Sequence, residues 1–97
     1  MKKHTFYSMV REEGIVIAKL HGGYTDGTYN YYRKEYTWFA IHPLNGLSVC
    51  TGSTRKEAAE KAHAPKMAER IAAALERQHE TTEKFAALVE KAEQGAA

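Results

Sequence analysis

From Leu47 to Ala62 the chain runs Leu-Ser-Val-Cys-Thr-Gly-Ser-Thr-Arg-Lys-Glu-Ala-Ala-Glu-Lys-Ala, and a strand pattern gives way to a helix across Gly52 and Ser53. Leu47 to Thr51 has the character of a short strand. Gly52 breaks it, and Thr54 with Glu57 has the S/T-x-x-E spacing of a capping box, so side-chain chemistry sets where the helix starts. The junction divides the chain into a sheet part, residues 1–53, and a helical part, residues 54–97. Ninety-seven residues make a single domain that buries about 60–65% of its unfolded surface. That supports one modest core and leaves little room for a deep active-site cleft. The expected fold is α+β: an N-terminal antiparallel meander of about three to five strands, followed by two helices or one long kinked helix.

Upstream of the junction, Phe6 to Arg11 and Ile15 to Leu20 are β-rich runs joined by Glu12-Glu13-Gly14, a hairpin pattern. His21 to Gly27 carries three glycines and an Asp-Gly pair, and reads as the main loop. Tyr29 to His42 is aromatic and β-branched, either one bent strand or two strands joined near Arg33-Lys34-Glu35. Pro43 to Gly46 closes the next hairpin, which pairs His42 with Leu47, Ala40 with Val49 and Phe39 with Cys50. Side chains alternate along a strand. Tyr36, Trp38, Ala40, Leu47 and Val49 then share one face, and Phe39, Ile41 and Cys50 share the other. Both faces are apolar, whereas an antiparallel sheet with one wet face alternates apolar and polar residues. One helical layer covers one face. The second therefore calls for cover from the C-terminal helix, a second copy or a partner.

Beyond Thr54 the composition shifts to strong helix formers. Pro65 resists a helix interior but is tolerated in a first turn, so the simplest reading is a short helix over 55–63 and a second starting near Pro65. Ala68, Ile71, Leu75, Gln78, Thr82, Phe85, Val89 and Ala92 then follow an unbroken 3-4 spacing. Two structures fit it. One is a long helix whose stripe pairs with a second copy through Ile71, Leu75, Gln78, Thr82, Phe85 and Val89. The other breaks between Gln78 and Thr82 and folds the last helix back onto its own domain.

The net charge is +2, from 14 Lys and Arg against 12 Asp and Glu. A protein living on phosphate contacts usually shows a clearer basic excess, so nucleic-acid binding is permitted without being favoured. Cys50 is the single cysteine, which rules out an internal disulfide and fits a reducing compartment. Residues 5–13 supply no apolar signal core, and no stretch approaches the roughly 20 apolar residues of a membrane span. The expectation is a soluble, unprocessed, cytoplasmic chain.

Chemistry is sparse. In the register above His42 lies across the sheet from Cys50, so a nucleophilic Cys-His pair fails on geometry and Cys50 is a buried structural thiol. His4, His21, His42, His63 and His79 are scattered, without metal-ligand spacing. The Gly22-Gly23 segment lacks the Lys-Ser/Thr of a phosphate loop, and Asp26 is explained by its Asp-Gly turn. No enzyme, metal or cofactor is expected.

The best functional candidate is an aromatic cluster, Tyr29, Tyr31, Tyr32, Tyr36 and Trp38, around Arg33 and Lys34, with Tyr24 beside it. Such residues suit a protein interface, where Tyr, Trp and Arg dominate energetic centres. They also suit stacking on single-stranded bases, or follow from β-propensity alone.

The stretch Gly52-Ser53-Thr54-Arg55-Lys56-Glu57-Ala58-Ala59-Glu60-Lys61-Ala62 resembles the sheet-to-helix junction of arm-type DNA-binding domains in tyrosine integrases, and is similar to that of HicB-type antitoxins. The preceding hairpin lacks the dense Lys/Arg run of the integrase domains, and the long helical tail belongs to neither pattern. The resemblance implies a phage or mobile-element setting, where small inhibitors such as anti-CRISPR proteins occur. The leading expectation is a non-catalytic module that binds a protein partner, in its most specific form an inhibitor of a nucleic-acid-processing defence complex. The alternative is a small DNA- or RNA-binding module using Arg33, Lys34, Arg55 and Lys56 on phosphates.

Overall fold

A computed structural model describes residues 1–95. Five strands form one antiparallel meander in chain order, β1 (Lys2–Glu12), β2 (Ile15–Thr25), β3 (Asn30–Lys34), β4 (Thr37–Ile41) and β5 (Ser48–Gly52). Three helices follow, α1 (Arg55–Ala62), α2 (Pro65–Arg77) and α3 (His79–Gly95). The α+β expectation holds, and the tail has one helix more than the simplest reading of it.

The β1–β2 hairpin turns on Glu13 and Gly14, both with positive φ, and runs unbroken from the Glu12–Ile15 pair to the Lys2–Thr25 pair. The stretch read as a loop, His21 to Gly27, is therefore mostly strand. One of its glycines serves close approach: a Cβ on Gly23 would lie 2.1 Å from the Tyr31 carbonyl oxygen, where β2 and β3 pair. The aromatic stretch resolves into two strands, turned at Glu35 (φ 57°) and Tyr36.

The β4–β5 turn closes with the His42 amide donating to the Leu47 carbonyl, 2.9 Å. A bulge between Ala40 and Ile41 then shifts the pairing, so that Ala40 faces Cys50 and Phe39 faces Thr51. This corrects the expected register. It also moves Cys50 to the helix-covered face, packed with Val49 and Trp38 against Tyr29, Tyr31, Ala40, Ala58 and Ala62.

Helix α1 lies on that face with Ala58 and Ala62 fully buried. Alanine at those positions lets the helix approach so closely that a Cβ on Gly52 would meet the Ala58 amide at 2.7 Å. The capping box forms in modified guise. Thr54 Oγ1 accepts the Glu57 amide at 3.0 Å, while Glu57 reaches back to the Ser53 amide and hydroxyl at 3.2 and 2.6 Å.

The second face is closed in part by the curl of the sheet itself. On it Phe6, Tyr32 and Ile41 form a buried cluster with Phe39 packed beside them. The Phe6 and Tyr32 rings come within 6.1 Å although β2 separates their strands. The Met9 amide of β1 donates to the Gly46 carbonyl in the β4–β5 turn at 2.8 Å, so the sheet curls until its first strand meets the far turn. Helix α3 packs against β2. Its buried Phe85 sits on Gly46, whose φ of 66° and missing side chain make room for the ring. Curvature thus houses part of the apolar excess inferred from alternation, while Ile15 and Leu20 of β2 stay exposed.

Candidate functional site

The seven aromatic and basic candidates do not form one surface. Tyr29, Tyr31 and Tyr32 are 6%, 0% and 9% exposed and belong to the core. Tyr29 and Tyr31 pack under α1, and Tyr32 points to the other face, stacked on Phe39 and, at 3.9 Å, on His21. Paired residues in an antiparallel sheet project to the same side. Arg33 therefore shares the helix-side face with its partner Trp38, and Lys34 shares the opposite face with Thr37. Tyr36 stands in the β3–β4 turn, 85% exposed. Only Arg33, Tyr36 and Trp38 remain as neighbours on or near one surface.

That surface has two further members. Tyr24, on β2, pairs across to Tyr31 and so projects to the helix side, where its ring lies 6.1 Å from Trp38. Arg55, the first residue of α1, is delivered by the Thr54 cap. Its guanidinium carbon sits 4.1 Å above the Tyr24 ring and 5.9 Å from the Trp38 ring, both within cation–π range. The three side chains line an open concavity of about 610 Å³, bounded by Met1, Lys56, Ala59 and Glu60. Sequence spacing pointed to Trp38 as aromatic and to Arg55 as basic. Their meeting depends on the strand order and on the helix crossing the sheet, which no local pattern encodes.

Asp26 is more than an Asp-Gly turn residue. Its Oδ1 accepts the Thr28 and Tyr29 amides at 2.9 and 2.8 Å, and its Oδ2 bonds the Tyr31 hydroxyl and His63 Nε2 at 2.5 and 2.7 Å. Burial, the largest single influence, pushes this carboxyl up. The Tyr29 amide, Tyr31, His63 and the Thr28 amide together overcome it and hold Asp26 well below the usual carboxylate range. Burial, then the bond to Asp26, raises the Tyr31 hydroxyl far above the ordinary phenol. An Asp-His pair of this kind can orient a general base, but among the described residues no nucleophile is bonded to His63, and all four acceptor positions of Asp26 are filled. The cluster clamps the β2–β3 loop to the end of α1.

The remaining polar candidates are equally occupied. Ser8 Oγ and His21 Nε2 lie 2.5 Å apart, but Ser8 is 1% exposed and out of reach of a substrate. Burial, with Lys19 and Lys34 nearby, lowers the His21 pKa and disfavours the charged ring. Cys50 Sγ donates to the Ala58 carbonyl at 3.3 Å, and burial pushes the thiol up, away from nucleophilic thiolate. Cys50 is half-buried, held by the α1 contact, on the core cluster whose Tyr29 ring also meets His42, so the expected separation from His42 does not arise.

The stripe is divided between two helices. Ile71, on α2, packs against the helix-side core, and Phe85, on α3, is buried on Gly46. Leu75 and Gln78 help line a cleft of about 220 Å³ against Leu47 and Val49, smaller than most ligand pockets. Thr82 and Val89 are half-buried. Among the described residues no group of three His, Cys, Asp or Glu side chains could hold a metal ion. No helix there is long and apolar enough to cross a membrane. Compared with protein families, with curated proteins and with solved structures, the chain matches none.

Proposed function

We infer that the protein is a non-catalytic interaction module that docks a protein partner on the Tyr24–Trp38–Arg55 face. One observation carries the reading: an Arg is stacked over a Tyr and beside a Trp in an open concavity, while the other aromatic residues of the sheet are largely spent on the core. Tyr, Trp and Arg are the residue types that supply most binding energy at protein interfaces, because each offers a large rigid surface with a polar tip. Tyr36 and Arg33 extend the same face through the β3–β4 turn. The filled hydrogen-bond positions around Asp26, Ser8 and Cys50 weigh against chemistry at those groups.

Within this reading the most specific form is an inhibitor of a nucleic-acid-processing defence complex, of the anti-CRISPR kind. Its support is the likeness of the Gly52–Ala62 junction to phage and mobile-element domains. A reducing cytoplasm fits the lone free thiol of Cys50. The nucleic-acid alternative is weakened by geometry, since Arg33 and Lys34 project to opposite faces and Arg55 already covers the Tyr24 ring on which a base would stack.

The test is capture from nuclease-treated lysate on immobilised wild-type protein and on Arg55→Glu, with Lys91→Glu as a control for charge. The reading requires a polypeptide held by wild type and the control and released by Arg55→Glu. Retention by all three proteins, or capture that vanishes with nuclease treatment, overturns it.

A further inference from the structure

We propose that Arg55 is a carboxylate receptor, and that this face takes an acidic segment of a partner protein. The proposal rests on the interaction reading above and adds the partner's chemistry. Among the described residues the Arg55 guanidinium makes no hydrogen bond and no ion pair. Its donors are therefore unspent, while its plane is held by Tyr24 at 4.1 Å and Trp38 at 5.9 Å. A guanidinium fixed in this way presents a planar fork that matches both oxygens of a carboxylate, with less rotamer entropy to lose on binding than a free side chain.

The surroundings favour an anion. Lys56 lies on the same concavity, against a single carboxylate, Glu60. Glu57, the other acid in the first turns of α1, is tied to Ser53 and Lys61. The Trp38 indole has no hydrogen-bond partner and is not sealed from solvent, since no buried side-chain polar atom lacks a partner among the described residues.

A protein segment fits better than a nucleic acid. A phosphate backbone needs a track of cations, and here Lys34 faces the other side of the sheet while Arg33 Nε is engaged by the Glu35 carbonyl at 3.0 Å. The site is local: one fork, one neighbouring ammonium and aromatic walls.

Trp38 is the chain's single tryptophan, so its emission reports on this face without a label. The probe is a short acetylated Glu-rich peptide without aromatic residues, titrated to millimolar concentration into the full chain at low salt. An oligothymidylate of equal charge is titrated in parallel. A saturable change of Trp38 emission with the peptide is expected. Arg55→Gln should weaken it at least tenfold and Arg55→Lys several-fold, because lysine keeps the charge but not the fork. Lys66→Gln, which removes the same charge from α2, should leave it unchanged. Circular dichroism of each variant establishes that it is folded, and a misfolded variant is replaced by salt titration of the wild type, whose peptide affinity should fall as salt rises.

The proposal is overturned if emission does not change with the peptide, if Lys66→Gln weakens binding as much as Arg55→Gln, or if only the oligonucleotide binds. Arg55-dependent capture of a partner alongside a silent peptide titration leaves the interaction reading standing and removes the carboxylate. A saturable, Arg55-dependent peptide titration alongside failed capture does the reverse.

Discussion

Asp26 gathers four hydrogen bonds on a side chain that is 17% exposed, and they tie two backbone amides, a core tyrosine and a helix-capping histidine to one carboxylate. Charge-assisted bonds of this kind are worth about 1.5–3 kcal/mol each when broken singly, and less than their sum together. Asp26→Asn keeps one acceptor oxygen for the two amides and loses the anionic acceptor for Tyr31 and His63. It should cost about 2 kcal/mol at neutral pH by denaturant unfolding. The pH dependence follows from the depressed carboxyl of the folded state. Above the unfolded value near 3.8 both states are ionised and the stabilisation is complete. As pH falls below that value the unfolded chain takes up a proton that the folded chain resists, and the stabilisation is lost. The gap between wild type and Asp26→Asn should therefore narrow as pH falls below about 4. A gap that does not change with pH would mean that charge on Asp26 contributes nothing. The sequence revealed the turn at Asp26-Gly27 but not this role, because the partners at Tyr31 and His63 are brought in by strand pairing and by α1.

Helix α1 shows what local chemistry can specify. Thr54, Glu57 and Gly52 are legible in the sequence because a cap, a reach-back carboxylate and a strand breaker act within a few residues of one another. The β4–β5 turn is legible for the same reason, with the His42–Leu47 backbone bond as expected. The bulge at Ala40 and Ile41 is not, since nothing in the alternation marks an extra residue, and one residue of slip carries Cys50 to the other face. The glycines of β2 mislead in a related way. Gly23 looks like loop punctuation and is instead the place where β2 meets the Tyr31 backbone. Gly46 combines both demands. Its φ of 66° disfavours a side chain by about 1–2 kcal/mol, and a Cβ there would lie 2.2 Å from the Phe85 ring. Gly46→Ala should destabilise by about 3 kcal/mol in the wild type. In a Phe85→Ala background it should cost only the backbone part, about 1–2 kcal/mol. A double-mutant cycle measures the difference as coupling between the turn and α3. Additive costs would show that Phe85 does not rest on this glycine.

At the scale of the whole molecule, the course of the helical stripe bears on self-association. A continuous helix would have presented Ile71 to Val89 along one line, ready for a second chain. The break at Gln78 divides that line: Ile71 is directed to the sheet, and α3 turns to seat Phe85 on the far turn. Neither Gly nor Pro marks the break, so a continuous and a broken helix both fit the sequence, and the fold has the broken one. Self-association along the stripe would have to use Leu75, Thr82 and Val89, which are only half-buried and lie on different helices. The expected mass by light scattering is accordingly that of one chain, 10.9 kDa. Two substitutions separate the roles. Phe85→Ala removes a core ring and should cost about 3 kcal/mol or more, with α3 amides losing hydrogen-exchange protection first. Val89→Glu changes a half-exposed position and should shift stability by no more than about 0.5 kcal/mol, with no change in mass. A dimer that Val89→Glu dissolves would reverse this assignment, and would make the second copy, in place of the curled sheet alone, part of what holds α3 in place.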